Sequence, residues 1–334
     1  NKCNFSELDS DFSKEFLSSL HQIYIVACGT AMHAGLSGKN TIEKLCRIPV
    51  EVDIASEFRY RDPIIDEKTL CIFVSQSGET ADTLAALRLS KEKGARTLAI
   101  SNVIGSTITR EADYTIYTHA GPEIAVASTK AYTSQVCLIA ILGMYFAETM
   151  GSYPEDKIEE LKHSILDLPS KIEAVLDESE KINDFADKVY TQKDMFFLGR
   201  GTDYDVALEG SLKLKEISYI HSEAYAAGEL KHGPIALIEN GVIVIGIITN
   251  KNLVEKTISN IQEVITRGAK TLIITNQILP NNNFGYVINI PETNELISPI
   301  LSVIPLQLLS YYISKNKGLD VDKPRNLAKS VTVE

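Results

Sequence analysis

The chain has 334 residues, of which 44% are hydrophobic and 23% charged, and its formal net charge is −11 at pH 7. This length predicts two domains, and the acidic charge excludes a nucleic-acid partner, because neutralising phosphates requires clustered Lys and Arg. The five cysteines and six histidines show neither Cys-x-x-Cys nor metal-ligand spacing, so we expect no disulfide framework, no metal, and a reduced, cytoplasmic setting.

Short β-branched runs alternate with longer segments of helical periodicity, a pattern typical of βαβ units and a parallel sheet. The predicted fold class is therefore α/β. A helix is expected over Ala81–Lys93, with Gly94 at its end. The clearest predicted strands are Ile23–Ala27, Leu70–Val74, Thr97–Ile100, Met195–Leu198, Val242–Ile248 and Thr271–Ile274.

A loop rich in hydroxyl groups separates the second of these strands from the helix that begins near Ala81. Ligands of open parallel sheets bind beyond the carboxyl ends of strands, and the N-terminus of a helix offers free N–H groups to an anion even in an acidic protein. The alternative is an ordinary N-cap with a turn glycine, but a cap needs only one hydroxyl. The candidates for holding a phosphate ester are Ser75, Gln76, Ser77 and Thr80.

Two other loops share this small, polar character. Cys28–Thr30 follows the first predicted strand, and Ala127–Lys130 precedes a long apolar run. Lys130 is a candidate phosphate ligand, although an N-cap serine beside a solvated lysine explains that loop equally well. The sequence contains neither Gly-x-Gly-x-x-Gly nor Gly-x-x-x-x-Gly-Lys-Ser/Thr, which argues against a dinucleotide or a nucleoside triphosphate.

The second half of the chain carries ionisable side chains instead of hydroxyls. Glu209, Lys213 and Glu216 lie at i, i+4 and i+7 and therefore share one helical face. A salt-bridged surface helix explains them as well as a functional site does. His232, which precedes Gly233-Pro234, has a side chain that can act as an acid or a base near neutral pH, but a lone histidine is more often structural.

Three segments bear on the organisation of the chain. Tyr153–Lys188 is rich in Glu, Lys, Asp, Ile and Leu and predicts solvent-facing helices that join two sheets. The apolar stretch Leu296–Ile313 contains two prolines and several polar residues, which predicts a buried helix and no membrane span. The start of the sequence has no Met and no signal-peptide pattern, so we expect a piece of a longer protein.

The two halves of the sequence repeat each other. Gly29-Thr30 is echoed by Gly201-Thr202, and Lys93–Asn102 is echoed by Arg267–Asn276 at nearly the same separation. Ala55–Arg59 is likewise echoed by Ala227–Lys231. Three echoes in the same order predict a duplicated α/β domain.

Together these segments resemble the sugar-isomerase (SIS) family, and more closely the isomerase domains of the glutamine–fructose-6-phosphate aminotransferase family. The hydroxyl-rich loop is common to the whole superfamily, whereas the Lys-Leu-Lys-Glu helix, the Leu-Lys-His-Gly-Pro loop and the tail are far more specific. The resemblance runs from about Ile23 to the last residue. The matching segments are Ala27–Thr30, Ala55–Arg61, Ser75–Thr83, Val126–Lys130, Leu208–Gly210, Leu212–Ile220, Glu223–Pro234 and Pro324–Glu334.

The resemblance implies two tandem SIS-type doubly wound parallel-sheet domains, at residues 20–152 and 186–318. It also implies a helical connector at 153–185 and a C-terminal tail at 319–334 that closes over the active site. The implied activity is that of an isomerase domain without a cofactor. It would convert fructose-6-phosphate to glucosamine-6-phosphate with ammonia supplied by an N-terminal glutaminase domain.

The resemblance also assigns roles to individual residues. Glu216 would move a proton between carbons 1 and 2, Lys213 would support developing oxyanion charge, and His232 would open the furanose ring. His232 would act on the neighbouring subunit of a homodimer, and Lys329 would touch the open-chain substrate, with a transient imine as one form of that contact. Ser75, Gln76, Ser77 and Thr80 would hold the 6-phosphate, and Thr30, Val126, Ser128 and Ala328 would line the sugar.

Two features depart from the family pattern. Ala31 stands where the family usually has Ser after Gly-Thr, so one hydrogen bond to the sugar is missing or replaced. The glutaminase domain, with its terminal Cys nucleophile, is absent from this sequence, and Cys3 is no substitute because no amidohydrolase-sized segment surrounds it.

Two other functions fit the same residues. One is an isomerase or deglycase of another phosphosugar, which substrate profiling would separate. The other is a phosphosugar-sensing module, which predicts stabilisation by ligand without turnover and no role for Glu216.

Overall fold

The computed structural model describes residues 5, 8, 11–280 and 283–333, so Cys3 lies outside the described residues. The chain forms two compact units. Unit 1 consists of Asn1–Ile124, Ser128–His163 and Ala328–Glu334, and unit 2 consists of Ala125–Ala127 and Ser164–Leu327.

Unit 1 contains a five-stranded parallel sheet. Its strands are β1 (Gln22–Ala27), β2 (Val50–Ile54), β3 (Thr69–Ser75), β4 (Arg96–Ser101) and β5 (Tyr114–Tyr117), in the spatial order β2-β1-β3-β4-β5. The central strand β3 is buried along its whole length, as expected of a parallel sheet covered on both faces. In register, Val26 of β1 pairs with Phe73 of β3, which pairs with Ala99 of β4.

Helices cover both faces of this sheet. The helices of unit 1 are α1 (Lys14–Ser19), α2 (Gly29–Cys46), α3 (Ala55–Phe58), α4 (Ala81–Glu92), α5 (Thr107–Glu111) and α6 (Lys130–Met150), and α7 (Glu155–Leu166) begins in unit 1 and ends in unit 2. Residues of α3, α4 and α5, such as Phe58, Leu87 and Ile108, form one apolar core with Phe73, and α2 packs against Ile25 on the opposite face. The predicted helix at 81 is α4, and Gly94 follows its end at φ +89.

Unit 2 repeats the arrangement. Its strands are β6 (Asp194–Gly199), β7 (His221–Ala226), β8 (Ile243–Ile248), β9 (Lys270–Thr275) and β10 (Tyr286–Asn289), and its sheet has the order β10-β9-β8-β6-β7. Its helices are α8 (Leu168–Leu176), α9 (Ser179–Val189), α10 (Thr202–Ser218), α11 (Val254–Ile265) and α12 (Ser298–Asn316), with 3₁₀ turns at Glu229–His232 and Pro234–Leu237. When β6–β10 are matched to β1–β5, the two strand orders are identical. The predicted α/β class with two doubly wound parallel sheets is therefore confirmed.

The structure adds four strands that the sequence analysis did not predict. They are β2, β5, β7 and β10, and each is the edge of a sheet. The predicted solvent-facing connector is helical, but α8 and α9 also bury residues such as Val175, Ile182 and Phe185. The predicted apolar helix is α12, most of whose residues are buried.

One helix among the described residues, α6, is long and apolar enough to cross a membrane by length and composition alone. In that apolar window 56% of the residues are buried inside the protein. Gly38 of α2 lies against Ile139 of α6, so α6 occupies the position of a core helix.

Glycine permits a close helix contact at the same place in each unit. A Cβ on Gly38 of α2 would collide with Cγ2 of Ile139 in α6 and lie 3.1 Å from its Cβ. A Cβ on Gly210 of α10 would collide with Cδ1 of Leu306 in α12 and also lie 3.1 Å from its Cβ. Helices α2 and α10 directly follow β1 and β6. The close packing of these two helices therefore fixes the position of the loops at the carboxyl ends of β1 and β6.

We predict that Gly38→Ala lowers the free energy of unfolding by about 1–3 kcal/mol, because β-branched Ile139 cannot turn away from the added methyl group. The measurement is urea denaturation followed by circular dichroism. Gly143→Ala on α6 is the control, since a Cβ there meets Ile42 Cγ1 at an ordinary 3.4 Å. That change should be neutral or stabilising by up to about 1 kcal/mol. Equal effects of the two changes would contradict the close-packing account.

Candidate active site

The hydroxyl-rich loop lies at the carboxyl end of β3 and leads into α4. Two serines turn towards the backbone of the loop itself. Ser75 Oγ accepts a hydrogen bond from the Gly78 N–H at 2.9 Å, and Ser77 Oγ accepts one from the Glu79 N–H at 3.2 Å. Thr80 is the N-cap residue, but its side chain makes no capping hydrogen bond and its hydroxyl lies 3.5 Å from Ser75 Oγ. The loop therefore presents hydroxyls that capping does not consume.

The N-terminus of α4 also retains free donors. The Ala81 N–H donates to the Val331 carbonyl at 3.1 Å. Among the described residues, no acceptor takes the N–H groups of Asp82 and Thr83, which are the other two orphan donors of the first turn. These groups and the helix dipole favour an anion at this place.

Gly78 and Glu79 hold the loop in shape. Gly78 has φ +69, and a Cβ at this position would lie 2.6 Å from Ser106 Cβ, so the turn requires glycine. The Glu79 carboxylate accepts from the Thr107 N–H at 2.8 Å, which caps the N-terminus of α5. This backbone hydrogen bond is the main cause that lowers the pKa of Glu79. The Glu79 carboxylate therefore contacts the N-terminus of α5 and does not face a ligand bound at α4.

The predicted sugar-lining residues lie at the starts of helices and in the tail. Thr30 is half-buried in the first turn of α2, and Ala31 beside it is buried. Ser128 is half-buried just before α6, whereas Val126 donates its N–H to the Asp322 carbonyl at 3.0 Å within unit 2. Ala328 is exposed and belongs to unit 1.

The loop before α6 is capped differently from the predicted alternative. The N-cap residue is Thr129, not Ser128, and neither serine nor threonine supplies the cap. Instead, the Glu123 carboxylate accepts from the N–H groups of Thr129 at 3.3 Å and Ala131 at 2.9 Å. Ser128 is thus not the N-cap. Lys130 is exposed, as the alternative of a solvated lysine expected.

The acidic and basic residues of the second half meet on α10. Lys213 forms ion pairs with Glu216, one turn further along, and with Glu209, one turn back, at 3.5 Å. The side chains of Glu209 and Lys213 are 0% and 2% exposed, whereas that of Glu216 is 22% exposed. The alternative of a surface helix is wrong for this face, because two of the three charges are buried.

The two carboxylates of this cluster determine the charge state of Lys213. Burial by itself lowers the pKa of Lys213, but the adjacent carboxylates of Glu209 and Glu216 outweigh burial and raise it above its ordinary value. Lys213 is therefore a fixed cation at neutral pH. Glu216 is the member of the cluster that solvent reaches, so it is the carboxylate that a bound molecule can contact.

His232 and Lys329 lie on segments other than α10. His232 ends the 3₁₀ turn Glu229–His232 and is exposed, and no hydrogen bond or ion pair between described residues links it to Glu216. Gly233 after it has φ +147, a conformation reserved for glycine. Lys329 is half-buried and belongs to unit 1.

A cavity of about 770 Å³ in unit 2 contains none of the predicted site residues. Its lining includes Lys193, Asp194 and His221, which lie at the amino ends of β6 and β7. The hydroxyl-rich loop and Thr30 instead follow the carboxyl ends of β3 and β1, whereas Glu216 lies in the last turn of α10, three residues before Tyr219 of the cavity lining. Among the described residues, no group of three or more His, Cys, Asp or Glu side chains could hold a metal ion.

Several residues with structural roles at these loops escaped the sequence analysis. Glu79 and Glu123 cap neighbouring helices, and Ser330 and Val331 contact the hydroxyl-rich loop. Asp203 accepts from the N–H groups of Thr249 at 2.8 Å and Asn250 at 3.3 Å, and burial raises its pKa. A carboxylate six to eight residues ahead of the capped N–H groups is the signal that could have found Glu123, whereas Glu79 caps Thr107, 28 residues further along the chain, and gives no such local signal.

The two matching parallel sheets define a duplicated α/β protein, and the chain belongs to the SIS domain family, whose match covers residues 16–145 and 188–314. The chain is also 39% identical, with a TM-score of 0.90, to the C-terminal domain of glucosamine-fructose-6-phosphate aminotransferase from Francisella tularensis. That match covers 94% of this chain and 92% of the other. The family resemblance inferred from the sequence is thus confirmed.

Two curated relatives are named as aminotransferases of fructose-6-phosphate, like the solved domain. The chain is 63% identical over 97% of its length to glutamine–fructose-6-phosphate aminotransferase [isomerizing] of Clostridium tetani, and 60% identical over 98% to that of Clostridium perfringens. Each match covers 54% of the relative. The chain therefore spans about half the length of the curated relatives it matches.

We predict that Lys213→Met lowers the free energy of unfolding by about 3–5 kcal/mol at pH 7, because it leaves the buried Glu209 carboxylate without its cation. The native pKa of Lys213 is raised, so its contribution is fully present below the ordinary lysine pKa and is lost only in strongly alkaline solution. Urea denaturation at pH 7 measures the loss, and repeating it for the wild-type chain up to about pH 11 follows the alkaline dependence.

Lys215→Met is the matched control, since Lys215 is an exposed lysine on the same helix. It should change stability by no more than about 0.5 kcal/mol. A loss below about 1 kcal/mol for Lys213→Met would contradict the account of the buried cluster.

Proposed function

We propose that this chain is the isomerase part of an enzyme that converts fructose-6-phosphate and ammonia to glucosamine-6-phosphate and water. The observation that carries the proposal is the graded exposure on α10, where a buried Glu209–Lys213 pair leaves Glu216 as the accessible carboxylate. A sensor has no use for such a base. The hydroxyl-rich loop and the names of the relatives support a phosphorylated sugar as the ligand.

The reaction needs three proton-handling steps. His232 gives and accepts a proton to open the furanose ring, since a histidine does both near pH 7. Ammonia then replaces the carbonyl oxygen at carbon 2, which leaves as water. Glu216 removes a proton from carbon 1 of the imine and a proton returns to carbon 2. The carbon 1 hydroxyl loses its proton as it becomes a carbonyl, and the imine nitrogen gains one as it becomes an amine, so the 2-amino aldose forms without net gain or loss of protons.

Lys213 serves this chemistry as a fixed positive charge. Its raised pKa keeps it protonated when Glu216 changes its protonation state. A cation beside the base stabilises the carboxylate form and the enolate-like charge that develops on the substrate. Glu209 balances this cation from the buried side.

The phosphate is assigned to unit 1. The side chains proposed to hold it are Ser75, Gln76, Ser77 and Thr80, together with the free N–H groups at the start of α4. Each hydrogen bond to a charged group is worth about 1.5–3 kcal/mol. The sugar contacts are proposed at Thr30, Val126, Ser128 and Ala328, with Lys329 on the open-chain substrate. Ala31 offers no hydroxyl, so the sugar hydrogen bond that a relative with Ser makes at that position is missing or replaced in this chain.

The partners follow from the same proposal. Ammonia comes from an N-terminal glutaminase domain of the full-length protein, and a homodimer supplies His232 to the neighbouring subunit. We place the protein in the cytoplasm and keep the boundaries of 20–152, 153–185, 186–318 and 319–334 for the two domains, the connector and the tail.

We predict that Glu216→Gln lowers the rate of glucosamine-6-phosphate formation from fructose-6-phosphate and ammonium by about 10²–10⁴-fold, the usual worth of a positioned base. Binding of fructose-6-phosphate should change little, because the phosphate loop is untouched. Product is followed by NMR and binding by calorimetry. Glu255→Gln, an exposed carboxylate at the start of α11, is the control and should keep the wild-type rate. Full activity of Glu216→Gln would rule Glu216 out as the base.

A further inference from the structure

The tail contacts the hydroxyl-rich loop through one side chain. Ser330 Oγ donates a hydrogen bond to Ser77 Oγ at 2.8 Å, and both residues belong to unit 1. Ser77 Oγ also accepts the Glu79 N–H at 3.2 Å. Ser330 is half-buried and has no role in the proposed reaction so far.

The contact with Ser330 determines where the proton of the Ser77 hydroxyl points. A serine hydroxyl has two acceptor positions and one proton. At Ser77, Ser330 and the Glu79 N–H fill both acceptor positions, so the proton occupies the one direction that is left. Among the described residues, no hydrogen bond is donated by Ser77 Oγ. The hydroxyl is therefore set as a donor towards a ligand.

The tail and an anion do not compete for the same groups. The Val331 carbonyl accepts a hydrogen bond from the Ala81 N–H. The N–H groups of Asp82 and Thr83 stay available to an anion. Ser330 uses an acceptor position of Ser77, whereas a phosphate oxygen needs the proton. Accepting a hydrogen bond makes a hydroxyl a stronger donor, so the contact favours an anion rather than displacing it.

We propose that Ser330 is a positioning residue for phosphate binding. Its hydroxyl fixes and polarises the Ser77 hydroxyl so that the latter donates to the phosphate of the sugar. The proposal rests on the proposed function, in which the hydroxyl-rich loop holds the 6-phosphate. By reciprocity, a bound phosphate strengthens the hydrogen bond between Ser330 and Ser77.

The test is a double-mutant cycle on fructose-6-phosphate binding, measured by calorimetry on the whole chain. Ser330→Ala should raise the Kd about 3- to 10-fold, the effect of one hydrogen bond, and Ser330→Thr should restore it to within about twofold. In a Ser77→Ala background, Ser330→Ala should have almost no further effect. Thr332→Ala removes an exposed tail hydroxyl and should leave the Kd unchanged.

Two results would overturn the proposal while leaving the proposed function intact. A tighter Kd for Ser330→Ala would mean that the tail obstructs the loop. An equal loss in the wild-type and Ser77→Ala backgrounds would mean that Ser330 acts elsewhere, for example by holding the tail backbone in place. If the wild-type chain itself does not bind fructose-6-phosphate, the proposed function fails and this inference fails with it.

Discussion

The close approach of α10 to α12 at Gly210 is the constraint on which unit 2 depends. Because glycine lets the helices meet at Leu306, the neighbouring Glu209 is fully buried and Lys213, one turn on, is nearly so. A buried carboxylate needs a buried cation, which explains why Lys213 lies beside Glu209. The ammonium group of Lys213 also forms an ion pair with Glu216. The packing of two apolar helix faces thus decides which carboxylate remains open to a ligand.

Unit 1 uses the same scaffold for a different purpose. Gly38 gives α2 and α6 the same close contact, but the loops at the carboxyl ends of its strands carry hydroxyls and free N–H groups instead of charges. Glu79 and Glu123 do not contradict this, since each carboxylate is held against the N-terminus of a helix. The duplicated fold therefore presents hydroxyls and free N–H groups on a loop of one unit and a cluster of ionisable side chains on a helix of the other.

The sequence predicted the interior of each sheet and missed its edges. β1, β3, β4, β6, β8 and β9 are apolar runs buried on both faces, whose signal is unmistakable. The edge strand β2 reads Val50-Glu51-Val52-Asp53-Ile54 and β7 begins at His221, and such short, mixed segments depend on a neighbouring strand rather than on their own composition. The helical spacing of Glu209, Lys213 and Glu216 predicted that they meet, but burial came from α12, which is remote in sequence. Ser330 was hidden for the same reason, since its partner Ser77 lies far along the chain.

The most direct test of the central claim is NMR of fructose-6-phosphate incubated with this chain in heavy water. If Glu216 moves a proton between carbons 1 and 2, deuterium enters the sugar at one of these carbons, and glucose-6-phosphate accumulates when ammonia is absent. Unphosphorylated fructose should show neither, because it lacks the phosphate that we propose the hydroxyl-rich loop holds. Binding of fructose-6-phosphate without any exchange would contradict the account and leave the chain as a phosphosugar-binding module.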